Sequence, residues 1–358
     1  MRSFYILNRR ASTPSSPESK GASPLKSVRR ERIRYRDMIW AFHSESQDLL
    51  LNTSTAACNG RLGWSDARAL GVPIWLNSVE TLKTQLEVIA RNEYMAGDNR
   101  DPTACSLYYF ALGKVKLVHG LWRQAAWHQE QAVMLKFLAN DFSDARWRTA
   151  ALKNAFALLS KRRFEYAAAF FLLGNSLKDA VNVCIKQLDD FQLAVALARV
   201  VEQSNEGPVL LDILSNTVLP IAFKNGNRWL GSWAFWLLHR RDLAVRILLT
   251  PLRDIATFLN IQVADIGEPH YDDPSLALLF SQLRSKTLQA AKGTSEISGR
   301  TTSPERSLTG VTKIKEEGEE ERLQNEGDFF ARKVGIGNLM KSAKQDVKVP
   351  EFDMNSFF

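Results

Sequence analysis

Apolar residues recur at the helical period through the middle of the chain, most densely from Arg146 to Glu202, and they show no strand-like alternation. Residues three and four positions apart share one face of a helix, so this spacing predicts amphipathic helices. The motif A-F-x-L-L begins at Ala155 and returns at Ala169 and Ala234. Recurring short helices predict an all-α, α-solenoid-like array of antiparallel helix pairs, each burying its apolar face against its neighbours.

The composition divides the chain into four predicted parts. Residues 1–34 form a basic arm rich in Ser, Pro and Arg, whose few aliphatic residues predict disorder. Residues 35–291 carry the helical pattern and form the predicted helical domain. Residues 292–328 form a charged linker, predicted to be disordered, with an acidic run from Glu316 to Glu321. Residues 329–358 form a tail whose apolar residues are typical of a short docking motif.

Polar residues and prolines predict several helix ends. Asp189 or Asp190 is expected to cap the helix that follows it, because a carboxylate there accepts a free backbone N–H. Pro208 suits a first helical turn, where its missing N–H costs nothing. Pro220 is expected to kink or break a later helix. One uninterrupted helix is expected over 116–139.

The net charge of +8 lies in the N-terminal arm. Residues 1–36 contain ten Lys or Arg and two Glu, so the remaining residues sum to zero. The basicity therefore belongs to the arm and gives little support to a nucleic-acid-binding fold. We expect no specific nucleic acid partner, and membrane contact only indirectly or weakly through the arm. A membrane or nucleic-acid binder acting through this arm is the rival interpretation.

The arm also carries short phosphorylation patterns. Three are of the proline-directed type and one is of the basophilic type: Thr13-Pro14, Ser16-Pro17, Ser23-Pro24 and Arg9-Arg10-Ala11-Ser12. Motifs of this length are weak, and a solvated linker without such sites is the alternative.

The sequence contains no pattern that predicts catalysis or metal binding. Cys58, Cys105 and Cys184 are odd in number and include no C-x-x-C, which argues against a disulfide framework and a zinc site. The five histidines form no H-E-x-x-H, and no phosphate-binding glycine motif is present. We predict a protein that is not an enzyme and has no cofactor or metal. An enzyme with an unrecognised site is the alternative.

Location is predicted from the same residues. The chain has no run of 18 apolar residues, and its first ten residues lack the apolar core of a secretory signal. We therefore expect a cytoplasmic protein.

Arginines beside aromatic residues at helix starts, together with phenylalanines of the tail, are the candidates for protein binding. They are Arg146, Trp147, Arg148, Arg228, Trp229, Phe352, Phe357 and Phe358. The helical spacing of the tryptophans also fits core packing, and the arginines fit solvated or cation–π contacts. The tail phenylalanines equally fit an unengaged chain end.

Long segments of the chain resemble one known family. They are RYRDMIWAFHSES, GWSDARALGVPIWLNSVETLKTQLEVIARNEYM, RDPTACSLYYFALGKVKLVHGLWRQAAWHQEQ, KFLANDFSDARWRTAALKNAFALLSKRRFEYAAAFFLLGNSLKDAVNVCIKQLDDFQLAVALARVVE, NRWLGSWAFWLLHRRDLAVRILL and VPEFDMNSFF. They are similar to the C-terminal helical region of the RAVE complex large subunit, the family that includes the DmX-like proteins, or rabconnectins. The resemblance covers roughly residues 33–250 and the end of the tail.

The resemblance implies a non-enzymatic scaffold that is recruited peripherally to vacuolar and endosomal membranes. Its implied partners are peripheral-sector subunits of the vacuolar proton-pumping ATPase and other RAVE subunits. The implied role is to promote joining of the peripheral sector to the membrane sector, and so acidification. Family members carry β-propellers before this region, whereas only the basic arm precedes it here. A solenoid adaptor of another vesicle-trafficking complex, or an inactive truncated fragment, are the alternatives.

Overall fold

The computed structural model of the protein describes residues 33–97, 99–259 and 266–267. Every regular element in these ranges is helical. The helices are α1 (Tyr35–Phe42), α2 (Gln47–Ala57), α3 (Trp64–Leu70), α4 (Val72–Trp75), α5 (Val79–Ala96), α6 (Pro102–Ala111), α7 (Val115–Gln124), α8 (Gln131–Leu138), α9 (Ala145–Ser160), α10 (Phe164–Leu173), α11 (Leu177–Lys186), α12 (Phe191–Val201), α13 (Pro208–Ile213), α14 (Leu219–Lys224), α15 (Arg228–Leu237), α16 (Arg241–Leu249) and α17 (Leu252–Phe258).

Helices that follow one another in the chain pack together. Contacts join α5 to α6, α7 to α8, α9 to α10, α10 to α11 and α11 to α12. The predicted all-α array of short helix pairs is therefore confirmed.

The corners between paired helices use residues in the left-handed conformation. Arg162, Asn175 and His239 all have φ of 59°. At the first of these corners the N–H of Arg163 reaches back to the carbonyl of Leu158 at 3.0 Å. Such a bond satisfies a carbonyl that the helix end would otherwise leave unpaired, and it lets the chain reverse within a few residues.

Helix α12 lies at the centre of the array. Nine consecutive residues, Gln192 to Val200, are buried. Its neighbours in the chain, α11 and α13, pack on it, and so do α4, α5 and α6 from the first third of the protein. Helix α1 in turn packs on α15. The first helices therefore fold back onto the middle and later part of the array.

A buried carboxylate fixes one contact of this fold-back. Asp190 caps α12 by accepting the N–H of Leu193 at 3.0 Å, which agrees with the predicted cap. Its other oxygen accepts the indole N–H of Trp64 at 2.8 Å, and the guanidinium of Arg68 lies 3.4 Å away. The residue that starts α12 thus also holds α3.

A buried arginine fixes the second contact. Arg199 is 2% exposed and donates to the carbonyls of Pro73, Leu76 and Asn77 at 2.9, 2.7 and 3.0 Å. Its Nε donates to the side chain of Asn205 at 2.7 Å. Burial lowers the pKa of Arg199 to about 10. Its guanidinium thus donates to carbonyls of α4 and of the two residues that follow this helix.

The uninterrupted helix expected over 116–139 was wrong, because the chain breaks between α7 and α8. Gln131 side-chain Nε2 donates to the carbonyls of Trp122 and Arg123, and so closes the end of α7. Glu130 is only 8% exposed and is ion-paired with Arg163 of the next helix pair. A continuous helix would not provide this corner.

The predicted disturbance near Pro220 takes the form of a π-helical turn. Residues Leu214–Val218 form this turn between α13 and α14, immediately before Pro220 in the first turn of α14. A proline lacks an N–H and crowds the carbonyl four residues earlier, and a π turn is one way to accommodate it. Pro208 occupies the first position of α13, as expected.

Helices α1 to α15 and residues 241–248 of α16 belong to one compact unit, and α17 belongs to a second. The domain boundaries given above stay predictions, because most of them fall outside the described residues. Within the described ranges, no helix has both the length and the apolar character needed to cross a membrane.

Candidate functional site

The outer side of α9 is basic. From Ala145 to Phe164 the chain carries six Lys or Arg and no Asp or Glu. Arg146, Lys153 and Phe156 are exposed and, at positions i, i+7 and i+10, lie on one side of the helix. Trp147 and Arg148 of the first turn are half-buried and lie on other sides of the helix. We call these five residues together the α9 face.

Two aromatic rings belong to the α9 face. Phe156 is 58% exposed and stands edge-on to the buried ring of Phe171, at 5.0 Å between centroids. Trp147 is half-buried against Phe137, at 6.4 Å, and the guanidinium of Arg146 lies 5.6 Å from its centroid. Apolar surface is thus exposed directly beside positive charge, which is a composition typical of protein interfaces.

The cations of the α9 face lack acidic partners. Among the described residues, no ion pair is formed by Arg146, Arg148 or Lys153. Both arginines also lie in the first turn of α9, two and four residues after the cap Asp144. The positive end of the helix dipole disfavours cations there. Helix stability therefore does not explain why these residues carry positive charge.

Sequence reasoning found the first turn of α9 and missed Lys153 and Phe156. The signal was present in the sequence, as a 20-residue stretch without a carboxylate in which exposed positions recur at helical spacing. The exposure of Phe156 could not be inferred, because the equivalent Phe170 and Phe235 of the repeated motif are buried.

The second pair of candidates lies in a different setting. Arg228 is 7% exposed, and its Nη1 donates to the carbonyls of Ile247 and Leu248 at 3.2 and 3.4 Å, at the end of α16. Burial lowers its pKa. Trp229 is half-buried. The guanidinium of Arg228 is thus used inside the fold. The binding roles of both residues stay predictions, and Phe352, Phe357 and Phe358 lie outside the described residues.

A groove of about 740 Å³ lies beside Trp236. The ring of His43 stands edge-on to the Trp236 ring at 4.6 Å, and the guanidinium of Arg241 lies 5.1 Å from its centroid. Burial lowers the pKa of His43, which favours the neutral imidazole. Phe42 adds a further aromatic side chain to the lining. We call this surface the Trp236 groove.

The rim of the Trp236 groove is acidic. Glu45 and Asp48 lie on one side, and Glu206 lies on another, 3.2 Å from His239. Arg241 is the one permanently charged cation among the residues that line this groove, compared with three carboxylates. No local pattern predicted this groove, because its lining comes from four separate segments of the chain.

The buried thiols are unsuited to nucleophilic chemistry. Burial raises the pKa of Cys105 to about 12 and also raises the pKa of Cys184. Both therefore remain thiols at neutral pH, whereas the thiolate is the reactive form. Among the residues that the structure describes, no group of three or more His, Cys, Asp or Glu could hold a metal ion. The arrangement of the α9 face and the groove suits binding.

Comparison with known proteins identifies the family. The family described as "RAVE protein 1 C terminal" matches residues 5–304. The chain is 39% identical over 260 residues to "Regulator of V-ATPase in vacuolar membrane protein 1" of Saccharomyces cerevisiae, covering 72% of this chain and 19% of that protein. It is 37% identical over 278 residues to the protein of the same name from Schizosaccharomyces pombe, covering 71% of this chain and 21% of that protein.

The chain is also similar to an animal protein. The chain is 36% identical over 222 residues to "DmX-like protein 1" of Mus musculus, covering 59% of this chain and 7% of that protein. The chain thus spans about a fifth of the length of the two yeast relatives. The match extends over most of the chain, and the chain belongs to the RAVE protein 1 C-terminal family.

Proposed function

We propose that this chain is a helical scaffold that regulates the vacuolar proton-pumping ATPase by promoting its assembly. It acts by binding and not by catalysis. In this proposal it holds peripheral-sector subunits and other RAVE subunits, helps the peripheral sector to join the membrane sector, and thereby supports acidification of vacuoles and endosomes. It works in the cytoplasm and is recruited peripherally to those membranes.

The observation that carries the proposal is family membership. The two yeast relatives are named as regulators of the V-ATPase in the vacuolar membrane, and each is more than a third identical to this chain over at least 260 residues. Since the chain spans about a fifth of each relative, the proposal concerns what its helical array contributes to such a regulator.

The α9 face is the contact surface in this proposal. Arg146, Arg148 and Lys153 present positive charge that no described carboxylate neutralises, and Trp147 and Phe156 present aromatic surface beside it. An acidic region of a peripheral-sector subunit would complement this face in charge, which raises association rates and fixes orientation. The tail residues Phe352, Phe357 and Phe358 are proposed as a second, tethered contact.

Binding of the full chain to purified peripheral sector of the vacuolar ATPase tests the proposal. The variant Arg146→Glu/Lys153→Glu reverses two charges on the α9 face, and we expect its Kd to rise at least tenfold. The expected loss is larger at low salt, because exposed charges are less screened there. Surface biosensor measurements at 50 mM and 300 mM NaCl give both quantities.

A matched control makes the same change in net charge at a different surface. Lys178→Glu/Lys186→Glu reverses two exposed charges on α11, on the far side of α10 from α9. We expect this control to bind within twofold of the wild type. Absence of binding by the wild-type chain would refute the proposed function. Equal binding by wild type and the α9 variant would refute the role of the α9 face alone.

A further inference from the structure

We propose that the Trp236 groove is the docking site of the chain's own basic N-terminal arm, residues 9–30. This goes beyond the proposed function and does not depend on it. The arm would occupy the groove as an extended segment, with its arginines and lysines against the acidic rim and its prolines against the aromatic floor.

Charge complementarity supports this occupant. Residues 1–32 carry eight Lys or Arg and two Glu, a net charge of +6, of which residues 9–30 contribute +5. The groove carries Glu45, Asp48 and Glu206 against Arg241, and the charges of these four side chains sum to −2. The exposed α9 face is positive and would repel the arm. Electrostatics therefore directs the arm to the groove and away from α9.

The shape and chemistry of the groove fit a basic segment that contains proline. Proline-rich segments bind as extended helices to grooves lined by aromatic side chains, because they lose little conformational entropy on binding. The lining of the Trp236 groove includes the exposed ring of His43, the half-buried ring of Trp236 and the edge of the buried Phe42. The arm has three prolines, at positions 14, 17 and 24, among its cations.

The end of the arm lies close to the groove. The first described residue, Ile33, is buried, and its N–H donates to the carbonyl of Ala69 at 3.1 Å, just before α1 begins. Helix α1 has eight residues, so it spans about 12 Å at 1.5 Å per residue. Its last residue, Phe42, already lines the groove. About four extended residues cover that distance, so residues before about 29 can reach the groove.

The tether makes even a weak contact sufficient. A short covalent connection gives an effective concentration of the order of millimolar. An arm with a Kd of about 1 mM in trans would therefore occupy the groove for about half of the time in cis. A groove of such modest charge is sufficient for a Kd of this size.

The phosphorylation patterns of the arm would control this contact. Thr13, Ser16 and Ser23 each precede a proline. A phosphate adds about −1.5 to −2 charges at pH 7, so three phosphates would cancel roughly the whole +6 of the arm. The phosphorylated arm would leave the groove, and the groove would become accessible to other ligands.

Photo-cross-linking within the full chain tests the proposal. The variant Leu25→p-benzoylphenylalanine places a photoreactive group between Pro24 and Lys26 of the arm. We expect cross-links in monomeric chains to residues 42–48 and 236–241, located by mass spectrometry. In this background, Glu45→Lys/Asp48→Lys should lower their yield at least fivefold, and Thr13→Glu/Ser16→Glu/Ser23→Glu should lower it at least threefold.

Two controls separate docking from other effects of the substitutions. Glu87→Lys/Asp212→Lys makes the same charge change on α5 and α13 outside the groove, and it should keep the yield within twofold. Arg29→Glu/Arg30→Glu should lower the yield, and combining it with Glu45→Lys/Asp48→Lys should restore it. Thermal unfolding confirms that each variant folds, and Glu206→Gln serves as a milder second groove variant. Cross-links spread over the surface, or an unchanged yield in the groove variants, would overturn the proposal.

Discussion

The hydrogen bond between Trp64 and Asp190 gives a direct test of the fold-back. The substitution Asp190→Asn keeps an oxygen for the N–H of Leu193, and Asn caps helices about as well as Asp. The amide nitrogen that replaces the other oxygen then faces the indole N–H of Trp64, which it cannot accept. The change therefore removes one long-range bond and keeps the local one.

The expected cost follows from the burial of this pair. Asp190 is 4% exposed and Trp64 is 9% exposed, so the indole N–H cannot readily bond to water, and leaving it unpaired costs about 1–3 kcal/mol. The half-exposed Arg68 adds less than about 1 kcal/mol. Together, Asp190→Asn should lower the free energy of unfolding by about 1–4 kcal/mol. The loss should be seen as a lower urea midpoint by circular dichroism.

A double-mutant cycle isolates the bond. The substitution Trp64→Phe removes the donor, so the double variant Asp190→Asn/Trp64→Phe should be more stable than the sum of the single effects by about 1–3 kcal/mol. Asp189→Asn is the matched control, because that neighbouring side chain is exposed and its φ of 49° suits Asn. It should change stability by less than about 0.5 kcal/mol. A coupling energy near zero would refute the reasoning.

Three further substitutions test the helix dipole, the buried thiol and a tight turn. Arg148→Glu should raise the free energy of unfolding by about 0.5–1 kcal/mol in urea titrations, because a carboxylate suits the first turn of α9. The same change should weaken binding by the α9 face, and a loss of stability would contradict the prediction. Since burial raises the pKa of Cys105 from 9.0 to about 12, its contribution to stability is complete below pH 9 and is lost as the pH rises to about 12. Cys105→Ala should therefore flatten the decline in unfolding midpoint over that range, and an equally steep decline would refute it. Gly71→Ala combines a φ of 67° with a clash against Met38, and should cost about 2–4 kcal/mol by thermal or urea unfolding. Gly113→Ala, at a φ of 70° with open space around it, should cost only about 1 kcal/mol, so equal costs would show that the clash contributes nothing.

Local signals in the sequence predicted local structure well. Helical periodicity gave the fold class, and the cap at Asp190 follows from a carboxylate before an apolar run. The partner of that carboxylate, Trp64, lies 126 positions away in the chain, and no local pattern contains it. Pro220 indicated a disturbance but not its π-helical form, which depends on how the neighbouring turn absorbs the lost bond.

Features that depend on contacts between distant residues could not be predicted from local sequence patterns. The periodicity over 116–139 is continuous, but the chain breaks before Gln131, and Glu130 at this break pairs with Arg163 at the start of a later helix. The sequence around Arg228 predicts an exposed arginine beside tryptophans. In the fold its side chain is buried, and its guanidinium donates to carbonyls near the end of α16. The Trp236 groove is assembled from distant segments. Sites of this kind require the tertiary structure.

The burial of α12 by helices from both sides of the chain determines how the array folds and how far it can be shortened. In an open repeat array, terminal pairs fray or can be deleted one at a time, because each pair contacts only its neighbours. Here α12 is covered only when residues far apart in the sequence come into contact, and such contacts form slowly. We therefore expect slow and cooperative folding. Deleting α1 to α4 would remove the contact between α4 and α12, and with it the carbonyl of Pro73, one of the three that accept from the buried Arg199. A fragment that keeps α12 covered therefore has to include α4.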